Sequence, residues 1–326
     1  MKRLEWLDVA KGLGIFLVVW GHFYATDNVK IWIYGFHMPL FFFLSGYTFQ
    51  VKPSSLGTYI RKKSHSLLVP FFVFQAITAL IMFGFQFIYE KTAYPFSWME
   101  FFFLNGEVGF NSPLWFLVVL FEVEILFFCF KKYLPKWSWL VLIIVVGLTV
   151  LSTFDQGIRW PLGIKIIPVA FLFYWVGLIS RERKLFQRKW FLSWWTLASC
   201  VVLYILTLMY ANDYKIVTLR SMDIGQPFAF FAGALLGIFA LCLLAIRLQH
   251  IRIFSFYGKN SLVILCTHYY FLILFANAIH LITGQPAIGS YPISMTLGLT
   301  LLTFFLYGGI FVFLRKRSIA RYIWIR

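Results

Sequence analysis

Missing from this 326-residue sequence is any polar stretch long enough to fold by itself in water. No linker or low-complexity tract divides it either, so a single membrane-embedded domain over residues 1–326 is the expected organisation. Acidic side chains are scarce, 12 against 29 Lys and Arg, and charged residues make up only 13% of the chain. Cysteine is scarce as well. Cys129, Cys200, Cys242 and Cys266 lie in apolar runs with no C-x-x-C spacing, which argues against both a zinc site and a disulfide framework. A small-residue cleavage site is missing behind the basic N-terminus, and the apolar run that follows is long and interrupted by Asp8 and Lys11. That run reads as a retained first span rather than a signal peptide.

What is present is apolar: 61% of residues are hydrophobic, 21% are aromatic, and the mean hydropathy is +0.81. These values lie outside the range of soluble domains and predict an all-α, polytopic membrane protein. Apolar segments run at about 7–25, 33–51, 67–88, 114–130, 138–153, 163–180, 193–210, 228–246, 257–282 and 292–314, so about ten transmembrane helices are expected. Alternate connections hold 22 of the Lys and Arg residues, from Lys2 and Arg3 to Arg321 and Arg326, whereas the connections between them hold 6. Short cytoplasmic loops retain basic residues, so both termini are expected in the cytoplasm and the chain in the plasma or inner membrane.

The net charge of +17 raises the question of nucleic acid. Because the charge is spread over six loops on one membrane face, topology and contact with anionic lipid explain it and no nucleic-acid partner is expected. Two connections on the other face, 89–113 and 211–227, carry Trp98, Glu100, Asn105, Glu107 and Asn111, then Asp213, Asp223 and Gln226. Ring stacking beside polar groups suits a sugar, and an interfacial aromatic belt suits the same residues.

Ionisable side chains inside apolar spans are the informative exceptions. Lys11 precedes His22 by eleven residues, a spacing that returns to nearly the same helix face ~16 Å along the axis. One helix thus carries a cation near the inner surface and an imidazole towards the outer one. His37, a few residues below the outer surface on the returning span, falls at similar depth. Glu122 and Glu124 lie near mid-membrane on the fourth span and point ~200° apart, Glu122 sharing the face of Trp115. Such groups are costly in hydrocarbon and mark polar sites or pathways.

Arg3, Trp6, Leu7, Asp8, Lys11, Gly12 and Gly21-His22, followed by Phe36-His37-Met38-Pro39-Leu40-Phe41-Phe42-Phe43-Leu44-Ser45-Gly46-Tyr47, resemble the opening of the acyltransferase-3 family. Those integral-membrane enzymes move acyl groups onto extracytoplasmic carbohydrates; the likeness points to their fucose 4-O-acetylase-like branch. Lys11 to His22 matches the family's basic-residue, ten-residue gap, histidine motif. Leu114-Trp115-Phe116-Leu117 resembles its fourth-span signature, and Gly258-Lys259-Asn260-Ser261-Leu262 through Thr267-His268 its ninth. One motif departs. Where members often carry Arg-x-x-Arg before a proline, this chain reads Arg61-Lys62-Lys63-Ser64-His65-Ser66-Leu67-Leu68-Val69-Pro70, with Lys63 and Ser66 at the two positions. Positive charge survives there, and the bidentate fork of arginine does not.

The resemblance implies transfer of an acyl group, acetyl first and succinyl as the competitor, from cytosolic acyl-coenzyme A to a hydroxyl of a cell-envelope polysaccharide or lipid-linked sugar. No metal is implied. His22 takes the place of catalytic base, with His37 and one of Glu122 and Glu124 assisting. Lys11, Lys62, Lys63 and Ser45, with Lys259, line the acetyl-coenzyme A side, and Trp115, His268 and Asn260 the acceptor side. Packing alternatives stand beside these roles: a helix-to-helix hydrogen bond for His37 and His268, pairing with Asp8 for Lys11, a belt position for Trp115, and plain solvation for His65. A secondary transporter would also place charge inside spans, but it should show inverted repeats and paired broken helices, neither of which is visible in the hydropathy.

Overall fold

The computed structural model describes residues 4–51, 55–88, 111–154, 160–211, 213–284 and 290–316. Trp98, Glu100, Asn105 and Glu107 lie outside them, as do Lys2, Arg3, Lys52 and the C-terminal basic residues from Arg317. The described residues form helices and no strand: α1 Glu5–His22, α2 Asp27–Tyr34, α3 His37–Thr48, α4 Leu56–Lys63, α5 Val69–Ile88, α6 Trp115–Tyr133 and α7 Ser138–Phe154. Then follow α8 Ile167–Glu182, α9 Trp194–Leu206, α10 Pro227–Arg247, α11 Arg252–Lys259, α12 Ser261–Thr283 and α13 Ile293–Lys316.

Among the described residues, eight stretches are long and apolar enough to cross a membrane, including Leu56–Gly84, Ser112–Tyr133, Pro227–Arg247 and Ser261–Thr283. The other two expected spans coincide with α1 and with α2 plus α3. α1 has 18 residues but includes Glu5, Asp8 and Lys11, and α3 has only 12, a rise of ~18 Å against ~30 Å of hydrocarbon. Hydropathy gave no sign of broken helices, yet the second expected span breaks between Tyr34 and His37 and the ninth at Asn260. The first is hidden because aromatic residues flank it on both sides, whereas the second falls in the polar stretch Gly258-Lys259-Asn260-Ser261, near the start of the expected span.

The chain divides into two compact units, and the division falls within α3 and within α8. The first comprises Met1–Leu44, Ser180–Val217 and Ile224–Arg326. At its centre α1 packs against α10, α11, α12 and α13, with Val9, Ala10, Ile15, Val18 and Val19 fully buried. Glycine makes the α1–α11 contact possible: a Cβ on Gly12 would collide with the Phe254 carbonyl, and one on Gly258 with the Asp8 carbonyl. The backbones of two motif segments therefore touch, as small residues allow between membrane helices.

The second unit comprises Ser45–Ile179 and Thr218–Asp223. Here α4 and α5 are joined by a π-helical turn, Ser64–Leu68, in which the Val69 N–H reaches the Ser64 carbonyl. Pro70 has no N–H to give the Ser66 carbonyl, and its ring would crowd that oxygen in a regular helix; the wider turn relieves the clash. Both α4 and this turn pack on α6. Gly46, at the end of α3, lies so close to the Tyr174 backbone that a Cβ there would collide with its carbonyl.

Candidate functional site

α1 ends at His22, because the backbone leaves helical geometry at Phe23 and Tyr24, the latter at φ 52°. The imidazole is therefore on the last turn, half-buried, where a helix presents its unpaired carbonyls. Three aromatic neighbours from the first unit meet it edge-on: Tyr269, Tyr34 and His37, at ring-centroid distances of 5.2, 5.9 and 6.4 Å. Its Nδ1 lies 2.9 Å from Nε2 of His268, a fully buried residue on α12. Tyr34 donates its hydroxyl to the Gly21 carbonyl at 3.1 Å, tying α2 to the end of α1.

His37 and His268 both use their second nitrogen on backbone. Nδ1 of His37 is 3.0 Å from the Ile33 carbonyl, across the break between α2 and α3. Nδ1 of His268 is 3.0 Å from the Ile264 carbonyl and 2.9 Å from that of Leu265, one turn earlier on α12. The structure thus brings together His22, His37 and His268, the last of them 246 residues from the first. Asn260 is fully buried at the start of α12 and donates its amide to the Phe256 carbonyl at 2.8 Å, which closes the end of α11. Lys11 and Lys259, both half-buried, are each next in sequence to one of the contacting glycines, Gly12 and Gly258.

In the second unit the acids separate in character. Glu124 is 5% exposed and its carboxylate is held by three donors. Lys63 Nζ stands 2.7 Å from Oε1, while the hydroxyls of Tyr59 and Tyr174 donate to Oε2 at 2.5 and 2.8 Å. Tyr59 also stacks on Phe128 at 4.2 Å, so one turn of α4 is clamped onto α6 through both charge and ring. Glu122 differs: its Oε2 is buried and, among the described residues, has no hydrogen-bond partner.

The remaining candidates fall as follows. Trp115 is buried at the start of α6 rather than turned to lipid. Ser45 is half-buried and its carbonyl accepts from the Thr48 hydroxyl. Lys62 and His65 are exposed, and Ser66 donates its hydroxyl to the Lys63 carbonyl. Among the described residues no three His, Cys, Asp or Glu side chains come together in a metal-ligating arrangement. Four tyrosines at these two centres went unremarked in the sequence. Only local spacing hints at two of them: Tyr269 follows His268, and Tyr59 precedes Lys63 by one helical turn.

Comparison with known families adds a match to the acyltransferase-3 model, described as an acyltransferase domain, over residues 4–321. No curated protein matches the chain. The family match takes in α1 with Lys11 and His22, the α3 segment after His37, the clamp on α6 and the α11–α12 motif, nearly the full length of the sequence. The chain belongs to the acyltransferase-3 family and is an integral-membrane acyltransferase.

Proposed function

We propose that this protein is an O-acyltransferase that carries an acyl group from cytosolic acyl-coenzyme A to a hydroxyl of an extracytoplasmic cell-envelope polysaccharide or lipid-linked sugar, in the manner of the fucose 4-O-acetylase-like branch. Acetyl is the acyl group proposed, and succinyl is the competing product. The supporting observation is the setting of His22: a half-buried imidazole at a helix end, ringed by Tyr34, His37, His268 and Tyr269, on the same helix as Lys11.

A thioester is already activated, so the reaction needs a base for the acceptor proton and relief for the developing oxyanion. In the proposed step the hydroxyl oxygen attacks the thioester carbonyl while His22 takes the hydroxyl proton. The C–S bond then breaks, and the departing thiolate receives that proton, giving an ester and free coenzyme A. The carbonyl ends of α1 favour the positive charge that His22 acquires on the way.

Donor phosphates are assigned to basic side chains on the cytoplasmic side, with Lys11, Lys62, Lys63 and Lys259 as the candidates. Lys63 enters that role only by exchanging Glu124 for a phosphate, which leaves exposed Lys62 the readier partner of the two. Of the acids, Glu124 is held by three donors, while the buried Oε2 of Glu122 has no hydrogen-bond partner among the described residues. Both termini are placed in the cytoplasm, and the whole chain is read as one acyltransferase domain in the plasma or inner membrane. The reading is tested by incubating purified protein in vesicles with ¹³C-acetyl- or ¹³C-succinyl-coenzyme A and envelope glycan. A new ester carbon on the glycan supports it, and solute uptake without ester formation overturns it.

A further inference from the structure

We infer that His268 is a positioning residue which fixes the tautomer of His22 and thereby selects Nε2 of His22 as the reacting nitrogen. The inference rests on the acyl-transfer reading above and adds to it a specific atom and a specific partner.

Nδ1 of His268 faces two backbone carbonyls, those of Ile264 and Leu265, at 3.0 and 2.9 Å. Carbonyl oxygens only accept, so this nitrogen carries the proton. The ring is fully buried. A second proton would place a whole charge in the interior with only carbonyl dipoles and the neutral rings of His22 and Tyr269 around it, whereas a neutral ring leaves a lone pair on Nε2. That lone pair points at Nδ1 of His22, 2.9 Å away, so His22 is the donor in this bond.

Ring geometry agrees with a bond of that kind. The two imidazoles are 16° from parallel with centroids 5.2 Å apart. This separation exceeds the N···N distance by about two ring radii, as in rings joined end to end in nearly one plane rather than stacked face on face. A neutral His22 with its proton on Nδ1 has an unprotonated Nε2, and that is the nitrogen able to accept a proton from a hydroxyl. The histidine–carboxylate pairs of many hydrolytic sites use the same division of labour, with an acceptor on one nitrogen and chemistry on the other. Here a neutral imidazole, itself oriented by helix carbonyls, is the acceptor. His37 is fixed in the same sense: its Nδ1 donates to the Ile33 carbonyl, so it cannot donate to His22 from that atom.

The test separates tautomer from turnover. ¹⁵N-histidine NMR of the detergent-solubilised full chain above neutral pH, with His22 assigned by its loss in His22→Gln, should show His22 protonated on Nδ1 and bare on Nε2. His268→Gln retains an acceptor oxygen and should keep this pattern and turn over within about tenfold of wild type. His268→Leu removes the acceptor; kcat should fall by about 10²-fold or more with the donor KM unchanged. A wild-type His22 protonated on Nε2, or equal losses in the Gln and Leu variants, would overturn the assignment. Should His268→Leu fail to fold, the wild-type tautomer and the Gln variant still decide. An Nδ1–H tautomer in a protein that transfers no acyl group would instead overturn the proposed function and leave the pairing standing.

Discussion

His22 and Glu124 show how differently two ionisable groups can sit in one apolar chain. The imidazole is half-buried at a helix end, in ring contact with Tyr34, His37 and Tyr269 and bonded through one nitrogen to His268. His22→Ala should reduce acyl transfer by ~10²–10⁴-fold, the contribution of a positioned base, while membrane insertion persists and stability falls by only about 1–3 kcal/mol, the cost of leaving the buried Nε2 of His268 without its donor. Transfer at the wild-type rate would take His22 out of the mechanism. Glu124 is the opposite case, because Lys63, Tyr59 and Tyr174 all converge on it. Lys63→Ala leaves a carboxylate in the interior with only two hydroxyl donors. Breaking a wholly buried pair costs ~3–5 kcal/mol; since Lys63 keeps some exposure, a loss of about 2–3 kcal/mol is expected, read as a lowered unfolding midpoint in detergent. Glu122→Gln should be neutral or slightly stabilising in the same assay, because it discharges an acid whose Oε2 is buried without a partner among the described residues. Equal destabilisation by the two substitutions would contradict this division.

Among the elements, α1 owes its place to glycine. Gly258→Ala would drive a methyl group into the Asp8 carbonyl, and backbone cannot rotate aside as a side chain can. Overpacking of this kind costs ~1–3 kcal/mol or more, so the substitution should lower the unfolding midpoint and displace Lys11 and Lys259 together. Gly147→Ala, on α7 where a Cβ meets nothing, is the control expected to be silent; the account fails here if the two variants are equally stable. The helices themselves were legible in the sequence, since membrane-length apolar runs and alternating basic connections respond to simple solvent chemistry. The break at Gly35-Phe36 was not, because an aromatic run hides a change of direction that costs no hydropathy. The Arg-x-x-Arg departure was visible, but neither its π-turn nor the Lys63–Glu124 pair was. That pair joins residues on two different helices, and sequence periodicity carries no information about which helix lies beside which. The same limit explains His268, 246 residues from His22 and readable in advance only as a member of a motif.

For the whole molecule, the charge asymmetry predicts an orientation: reporter fusions at either terminus should be active in the cytoplasm, and a terminus that reports from the outer side would reverse the assigned path of donor and acceptor. In the proposed orientation, with both termini inside, His22 at the end of α1 would face the side assigned to the acceptor, and Lys11 the side assigned to acyl-coenzyme A. The central claim is that this architecture esterifies a sugar outside the membrane with an acyl group supplied from within, using His22. The most direct measurement is ¹H–¹³C NMR of cell-envelope carbohydrate from cells that lack the protein, cells that express it, and cells that express His22→Ala at matched membrane levels. The account predicts O-acyl resonances, with the attached sugar proton shifted downfield, only in the cells expressing the unaltered chain. Identical O-acyl content in all three samples would contradict it.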